Sequence, residues 1–360
     1  MGGAALNRFA DLMRIPIIQA PMAGGGSRPE LAAAVGEAGG FGFLAAGYKT
    51  AEQMQTEIAG TRRLTSEPFG VNVFVPRPSV ADAEDVAAYL AGLEPEATRL
   101  GVDIGEARWE DDDWAGKLDA LRTDPVPVVS FTFGCPTERE IAALQRVGSL
   151  VVVTVTTPRE AALAAGAGAD GLAVQGIEAG GHRGSFGDPV GTEDDHGLLA
   201  LIGAVRASVD LPLIAAGGIT GARGVAAVLA AGATAAALGT AFLRSPESGA
   251  SPTHKAALVD PRFTTTDVTR AFSGRRARGL VNRFMTDHPD APVAYPEINN
   301  ATKALRRAAA DTGDPETLHL WAGQGFRQAR DVPAGELVEE LSIELRSVLE
   351  ELGETASTLG

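Results

Sequence analysis

Short apolar runs rich in β-branched residues recur along the chain, and alanine-rich stretches with helical periodicity separate them. Runs of this kind are typical of parallel strands covered on both faces, because such strands have no solvent-facing side to carry polar residues. The runs predict eight strands, at residues 15–20, 41–45, 69–75, 126–131, 150–155, 171–174, 212–216 and 234–238. Eight successive βα units predict an α/β protein built as a closed (β/α)8 barrel, the TIM-barrel fold.

Two segments are longer than eight simple βα units require. Residues 76–125 predict an enlarged, partly helical connection after the third strand, with the acidic run at 110–113 as a solvated face. The tail predicts a helical extension, so the chain divides into a barrel core, 1–243, and an extension, 244–360, that packs on the barrel and completes the site. Within the extension, 336–352 predicts an amphipathic helix that covers the barrel or pairs subunits in a homodimer. Its apolar residues are Leu337, Leu341, Ile343, Leu345 and Leu349.

Composition narrows the class of protein. The formal net charge is −15 and no dense run of Lys and Arg occurs, which disfavours nucleic acid and anionic membranes as partners. Cys135 is the one cysteine, which excludes an internal disulfide and a multi-cysteine metal site. The start of the chain lacks a signal-peptide pattern, and the uncharged stretch 225–243 is mostly Ala, Gly and Thr. We therefore expect a cytoplasmic protein without a membrane span, and the histidine spacing predicts no metal site.

Glycine-rich loops follow the seventh and eighth predicted strands. The first contains Gly217 and Gly218, and the second contains Gly239 and Thr240. In (β/α)8 barrels these two loops often form a phosphate site, because glycines let backbone N–H groups approach an anion at a helix start. A tight turn explains the first loop alone equally well, but the second loop favours the site. Such a site fits a phosphorylated substrate or flavin mononucleotide (FMN).

Three further residues lie where predicted strands end. Asn72 is an amide within the apolar run 71–75, and Gln175 follows the sixth strand. A buried amide needs hydrogen-bond partners, and a heterocycle in the barrel mouth could supply them. Met22 offers an apolar face after the first strand. Core packing explains each of these residues, taken singly, at least as well as ligand contact does.

A histidine, His182, lies among glycines in the sequence AVQGIEAGGHRGSF after the sixth strand. The glycines allow the loop to approach a ligand closely. Histidine is the side chain whose charge is most easily adjusted near neutral pH, so it can orient an anion or accept a proton. The position predicts a catalytic residue at the mouth of the barrel, with loop stabilisation as the alternative.

Six motifs, in order along nearly the whole chain, resemble the nitronate monooxygenases, formerly called 2-nitropropane dioxygenases. They are PIIQAPMAGG, FGVNVFVP, VQGIEAGGHRGSF, PLIAAGGI, ALGTAF and LHLWAGQG. The resemblance implies an FMN-dependent oxidoreductase that oxidises alkyl nitronates, such as propionate 3-nitronate, with O2 to a carbonyl compound and nitrite. In that family chemistry one-electron transfer gives a flavin semiquinone and a substrate radical.

The resemblance also implies roles for individual residues. His182 would be the catalytic residue, facing the nitro group of the substrate. Contacts to FMN would come from Met22, Asn72, Gln175, Gly180, Gly181, Gly217, Gly218, Gly239, Thr240 and Gln324.

Several other functions stay open at this point. A flavin-dependent enoyl-acyl-carrier-protein reductase is similar in barrel, FMN site and E-A-G-G-H motif, and would use NAD(P)H. The tail, with YPEINN and LHLWAGQG, favours nitronate monooxygenase over that reductase. An NADH:quinone reductase and a flavin-binding protein without turnover are further alternatives. A phosphosugar isomerase or aldolase would be colourless, and no lysine lies at a strand end in a Schiff-base setting.

Overall fold

Among the residues that the structure describes, eleven strands form one barrel and one small sheet. The computed structural model describes residues 9, 11–189 and 191–358. In chain order the strands are β1 (Ile17–Gln19), β2 (Gly42–Ala45), β3 (Phe69–Phe74), β4 (Val128–Thr132), β5 (Leu150–Val155), β6 (Gly171–Gln175), β7 (Gly181–His182), β8 (Leu213–Ala216), β9 (Ala235–Leu238), β10 (Thr266–Thr269) and β11 (Ala277–Leu280). Eight of them are parallel, in the order β1-β9-β8-β6-β5-β4-β3-β2. All eight predicted strands are confirmed, with ends that differ by a few residues.

The barrel closes between β1 and Phe41, which immediately precedes β2. Ile18 pairs with Phe41 in a parallel bridge. The Gln19 N–H donates to the Phe41 carbonyl at 2.9 Å, and the Phe41 N–H donates to the Ile17 carbonyl at 3.0 Å. These bonds join the two edges of the eight-stranded sheet, so the predicted (β/α)8 barrel is confirmed.

Alternate residues of each strand point into the barrel and out to the helices, because side chains of a strand alternate between its faces. In β5, Leu150 and Val152 belong to the apolar cluster that fills the barrel. Val153 and Val155 belong to a different cluster, formed between the sheet and its helices. Both faces of the strand are therefore buried, which explains its uninterrupted apolar sequence.

Fourteen helices in the described part of the chain surround the barrel. They are α1 (Pro29–Glu37), α2 (Ala51–Leu64), α3 (Ala83–Gly92), α4 (Glu94–Leu100), α5 (Trp114–Thr123), α6 (Glu138–Arg146), α7 (Pro158–Gly166), α8 (Leu198–Arg206), α9 (Ala222–Ala230), α10 (Pro252–Ala257), α11 (Arg283–Asp287), α12 (Glu297–Ala301), α13 (Lys303–Asp311) and α14 (Ala334–Thr358). Thr50 and Thr137 begin α2 and α6 with capping boxes. Each cap satisfies two N–H groups that a helix start would otherwise leave unpaired.

The enlarged connection after β3 contains α3, α4 and α5, as the segment 76–125 predicts. Its acidic run is not uniformly solvated, however. Asp112 lies 2.7 Å from the Lys117 ammonium, whose side chain is fully buried. The prediction of a solvated face is wrong at Asp112, because a buried lysine in α5 requires a negative partner.

The extension after β9 covers both the side and the mouth of the barrel. Helix α14 buries Leu337, Val338, Leu341, Leu345 and Val348 against the cluster that includes α1 and α9. Ile343 and Leu349 are exposed, contrary to the apolar face predicted from the sequence. The small sheet β10-β11-β7 pairs the extension with the loop after β6. The domain boundary at 243/244 and the homodimer stay predictions. None of the helices described is long and apolar enough to cross a membrane.

Candidate active site

One cavity of about 640 Å³ opens at the carboxyl ends of the barrel strands. Ten of the eleven site residues predicted from the sequence line it: Met22, Asn72, Gln175, Gly180, Gly181, His182, Gly217, Gly218, Gly239 and Thr240. The eleventh, Gln324, has an exposed side chain, and only its neighbours Gly323 and Gly325 line the cavity. The loops therefore converge as expected, whereas the side chain of Gln324 lies outside.

The two glycine loops form one wall. Gly217 and Gly218 have φ values of +130° and +68°, a left-handed region that favours glycine. Helix α9 begins shortly afterwards at Ala222, with Gly221 as N-cap and no side-chain capping bond. This helix start lines an adjoining pocket that shares Gly218 and Thr220 with the cavity, so the N–H groups that face the cavity are those of the glycine loop itself.

The amides of Asn72 and Gln175 have protein partners. Asn72 Nδ2 donates to Ser130 Oγ at 2.9 Å and to Thr132 Oγ1 at 3.0 Å. Gln175 Nε2 donates to the His182 carbonyl at 3.1 Å, and Gln175 Oε1 accepts from the Gly184 N–H at 2.8 Å. Gln175 thus holds the loop that carries His182, whatever contact it makes to a ligand.

His182 lies on β7, which pairs with β11 in the small sheet. Its ring is half-buried among three aromatic rings, with centroid distances of 5.9 Å to Phe133, 5.6 Å to Tyr295 and 5.5 Å to Trp321. The antiparallel pairing sets the position of the backbone, and the aromatic rings restrict the orientation of the side chain. The histidine is therefore held rigidly at the mouth of the cavity.

Burial, together with the nearby positive charges of Arg275 and Arg306, lowers the pKa of His182 to about 3. The ring is neutral near pH 7. Its Nε2 lies 2.8 Å from Ser273 Oγ, and Ser273 Oγ also lies within 3.2 Å of the Arg275 carbonyl. Among the described residues Nδ1 has no hydrogen-bond partner, so it is the nitrogen free to meet a ligand.

The backbone of the extension crosses directly over the histidine loop. A Cβ atom at Gly180 would lie 2.5 Å from the Ala322 carbonyl carbon, so only glycine fits at this crossing. The Gln324 N–H donates to the Glu178 carbonyl at 3.0 Å, and the Gly323 N–H donates to Thr240 Oγ1 at 2.9 Å. The segment containing Trp321 is thereby fixed to both the histidine loop and the second glycine loop.

Reasoning from the sequence missed several residues of the site. Tyr48 and Phe133 line the cavity in left-handed backbone conformations that no residue pattern predicts. Tyr295 donates a hydrogen bond to the Tyr48 hydroxyl at 3.1 Å. Arg275, which is buried, and Arg306, whose Nε is buried, place positive charge near His182. The one sequence signal near these residues is the motif YPEINN, which begins at Tyr295. It supports the family resemblance but does not indicate a role in the site.

The described residues contain no group of three or more His, Cys, Asp or Glu side chains that could hold a metal ion. Cys135 is a free, partly buried cysteine, and burial raises the pKa of its thiol to about 11.

Fold and site together define a TIM-barrel enzyme whose candidate active site lies at the carboxyl ends of the strands. The chain belongs to the nitronate monooxygenase family, whose model matches residues 7–344, and it is therefore an oxidoreductase. The resemblance inferred from the six motifs is confirmed.

Individual relatives agree with this assignment. The nitronate monooxygenase of Pseudomonas aeruginosa is 44% identical over 94% of this chain and 99% of that protein. The crystal structure of a nitroalkane oxidase from Streptomyces ansochromogenes is 52% identical, with a TM-score of 0.94 over 96% of this chain and 99% of that one. FabK from Thermotoga maritima is 29% identical, with a TM-score of 0.75 over 97% and 98% of the two chains.

Proposed function

We propose that the chain binds FMN in this cavity and uses it to oxidise alkyl nitronates with O2, giving a carbonyl compound and nitrite. The observation that carries the proposal is the environment of His182. A neutral ring faces the cavity, close enough to Arg275 and Arg306 for their charges to lower its pKa. An anion entering the cavity is attracted by both arginines and can still receive a hydrogen bond from the neutral ring.

The residues present fit FMN. The glycine loops, with Gly217 and Gly218 in left-handed conformations, suit a phosphate because their backbone N–H groups can approach an anion closely. Apolar side chains line the barrel below them, which suits a flat ring system: Ile18, Phe43, Val152, Ile214 and Ala237. A cavity of about 640 Å³ lies in the range usual for cofactors. When bound, FMN would supply the electron-transfer chemistry.

Ser273 allows His182 to present Nδ1 in either of two protonation states. When Ser273 donates its proton to Nε2, the ring proton is on Nδ1 and can be donated to a nitronate oxygen. When Ser273 donates to the Arg275 carbonyl instead, Nε2 carries the proton and Nδ1 can accept one from carbon. The first state binds and orients a substrate that is already deprotonated, and the second performs the deprotonation of a neutral nitroalkane.

The lowered pKa of His182 favours the first of these roles. A base whose pKa is about 3 holds a proton poorly near pH 7, and so it is a weak acceptor for a carbon-bound proton. Hydrogen-bond donation from a neutral ring carries no such penalty. We therefore expect nitronates to be much better substrates than the corresponding neutral nitroalkanes.

Oxygen uptake and nitrite formation by the FMN-loaded protein test this proposal. Propionate 3-nitronate and its neutral nitro form, 3-nitropropionate, are compared in wild type and in His182→Asn, whose amide can still donate a hydrogen bond but is not a base. The variant should keep FMN, lose roughly 100-fold or more on the nitro form and lose about 10-fold or less on the nitronate. An FMN-loaded wild type that forms no nitrite from any nitronate, but oxidises NAD(P)H with an enoyl thioester, would favour the reductase alternative.

A further inference from the structure

Tyr48 enters the cavity in an unusual backbone conformation. It follows β2, lines the cavity and has a φ of +66°. A bulky residue is rarely found in this left-handed region, because its Cβ crowds the backbone. Such a conformation persists only where neighbouring groups hold it in place. The contacts of the Tyr48 backbone therefore show what positions this wall of the cavity.

Two adjacent carboxylates of the acidic run bind the loop that carries Tyr48. The Tyr48 N–H donates to Asp112 Oδ1 at 2.8 Å, from a position 64 residues away in the chain. The Ala51 N–H, at the start of α2, donates to Asp113 Oδ2 at 2.6 Å. Asp112 and Asp113 themselves have φ values of +56° and +55°. The enlarged connection after β3 therefore fixes both ends of the segment 48–51.

Lys117 binds the other oxygen of the Asp112 carboxylate. Its side chain is fully buried, and its Nζ lies 2.7 Å from Asp112 Oδ2. Lys117 is in α5 beside Leu118 and Leu121, which belong to the apolar cluster that also contains residues of α2. A buried ion pair is often no more stable than apolar residues of similar size, because two charges must be desolvated. The position of the pair, between α5 and the Tyr48 loop, points to a role other than stability.

Tyr48 packs against the aromatic rings that surround His182. Its hydroxyl accepts a hydrogen bond from the Tyr295 hydroxyl at 3.1 Å. Its ring packs edge-on against Phe74, with centroids 5.4 Å apart, and Phe74 packs against Phe133 at 4.5 Å. Phe133 and Tyr295 both pack against the His182 ring. A displacement of Tyr48 would therefore move two rings that restrict the orientation of His182.

We propose that Asp112, held by Lys117, is a positioning residue of the candidate active site. Its carboxylate fixes the backbone of Tyr48, and through Tyr48 it fixes the aromatic rings around His182. The ion pair then serves the geometry of the cavity rather than the stability of the fold. The effect on turnover rests on the proposed function, whereas the bond between Asp112 and Tyr48 can be measured without turnover.

Two double variants separate positioning from stability. Both replace the buried lysine by an apolar residue, Lys117→Met, so that no unpaired charge is left behind. Asp112→Asn keeps a side-chain oxygen for the Tyr48 N–H, whereas Asp112→Gly removes it. Asparagine and glycine both tolerate the left-handed conformation at this position. Both double variants should keep a Tm within about 4 °C of wild type, since neutral replacement of a buried pair costs little.

Hydrogen exchange of the Tyr48 amide measures the bond to Asp112 directly. The chain contains three tyrosines, so isotope-labelled tyrosine gives three backbone amide signals in an NMR spectrum, and Tyr48→Phe identifies the one from Tyr48. The amide should exchange roughly 10- to 100-fold faster in the glycine variant than in wild type, which is the range for a hydrogen bond to a charged group. In the asparagine variant it should exchange less than about tenfold faster.

Steady-state kinetics with saturating FMN give the second readout. The glycine variant should lower kcat for nitronates by roughly 10- to 100-fold, because the rings around His182 lose their fixed position. The asparagine variant should keep kcat within about threefold of wild type. Asp119→Asn is the matched control, because it removes a carboxylate from an exposed position of the same helix, α5. It should change kcat less than about twofold.

Three results would overturn the role of Asp112. The first is equal exchange of the Tyr48 amide in wild type and in the glycine variant. The second is faster exchange with unchanged kcat. The third is a glycine variant that fails to fold while the asparagine variant folds, because the pair would then act on stability. A wild type that shows the expected exchange yet oxidises no nitronate would support the bond between Asp112 and Tyr48 and contradict the proposed function instead.

Discussion

Replacing Gly180 by alanine should disrupt the crossing between the histidine loop and the extension. The added Cβ would lie 2.5 Å from the Ala322 carbonyl carbon and 2.8 Å from the Ala322 Cα, where ordinary contacts are about 3.4–4 Å. Both atoms belong to the backbone, so no side chain can rotate away. One of the two segments must therefore move by about 1 Å.

That movement would break contacts that position the site. The Gly323 N–H to Thr240 Oγ1 bond and the Gln324 N–H to Glu178 carbonyl bond are each worth roughly 0.5–1.5 kcal/mol. Overpacking of this kind typically costs about 1–3 kcal/mol more. Gly180→Ala should thus lower the free energy of unfolding by about 2–6 kcal/mol, or weaken FMN binding where local opening of the mouth relieves the strain.

Urea unfolding and FMN affinity distinguish these outcomes from wild-type behaviour. Gly187→Ala is the matched control, because this glycine lies in the same loop and has no atom within 4 Å of the added Cβ. The control should stay within about 0.5 kcal/mol of wild type. If Gly180→Ala unfolds like wild type and binds FMN with unchanged affinity, the crossing does not hold the site together.

Three further predictions concern the histidine. The pKa of His182 is lowered in the folded protein, so the unfolded state binds the proton more readily. The free energy of unfolding should therefore fall as the pH drops from about 6.5 towards 3. His182→Asn lacks this group and should show a shallower decline in Tm over the same interval. Ser273→Ala removes the partner of Nε2, so kcat with nitronates should fall roughly 10-fold while the FMN affinity measured by fluorescence stays the same, and an unchanged kcat would contradict the role given to Ser273. Gln175→Ala removes the two hydrogen bonds that hold the His182 loop, so it should lower kcat while FMN stays bound. A loss of FMN affinity with no change in kcat of the FMN-loaded protein would instead indicate that Gln175 acts by binding the cofactor.

The barrel follows from the sequence because its signals are local. A strand covered on both faces must be apolar throughout, and each of the eight predicted strands is such an apolar run. Even one site contact follows from strand order: Asn72 lies opposite Ser130 because β3 and β4 are neighbours in register. The glycine loops could likewise be predicted, since the carboxyl ends of parallel strands meet at one mouth.

The surroundings of His182 could not be predicted in the same way. Ser273 contacts His182 from 91 residues further along the chain, through the antiparallel pairing of β7 with β11. Both strands are short and lack a recognisable alternation, so neither their existence nor their pairing is visible locally. Arg306 is equally hidden, because an arginine on an amphipathic helix normally predicts a solvated face. Only the packing of α13 reveals that this one points inward.

Anaerobic titration of the FMN-loaded protein tests the central claim most directly. Propionate 3-nitronate and NADPH are added to separate samples while the visible absorption of the flavin is recorded, and nitrite is measured after air is admitted. The account predicts that the nitronate changes the flavin spectrum and that nitrite then forms, with little response to NADPH. Bleaching by NADPH with no response to the nitronate, or a protein that cannot be loaded with FMN, would contradict it.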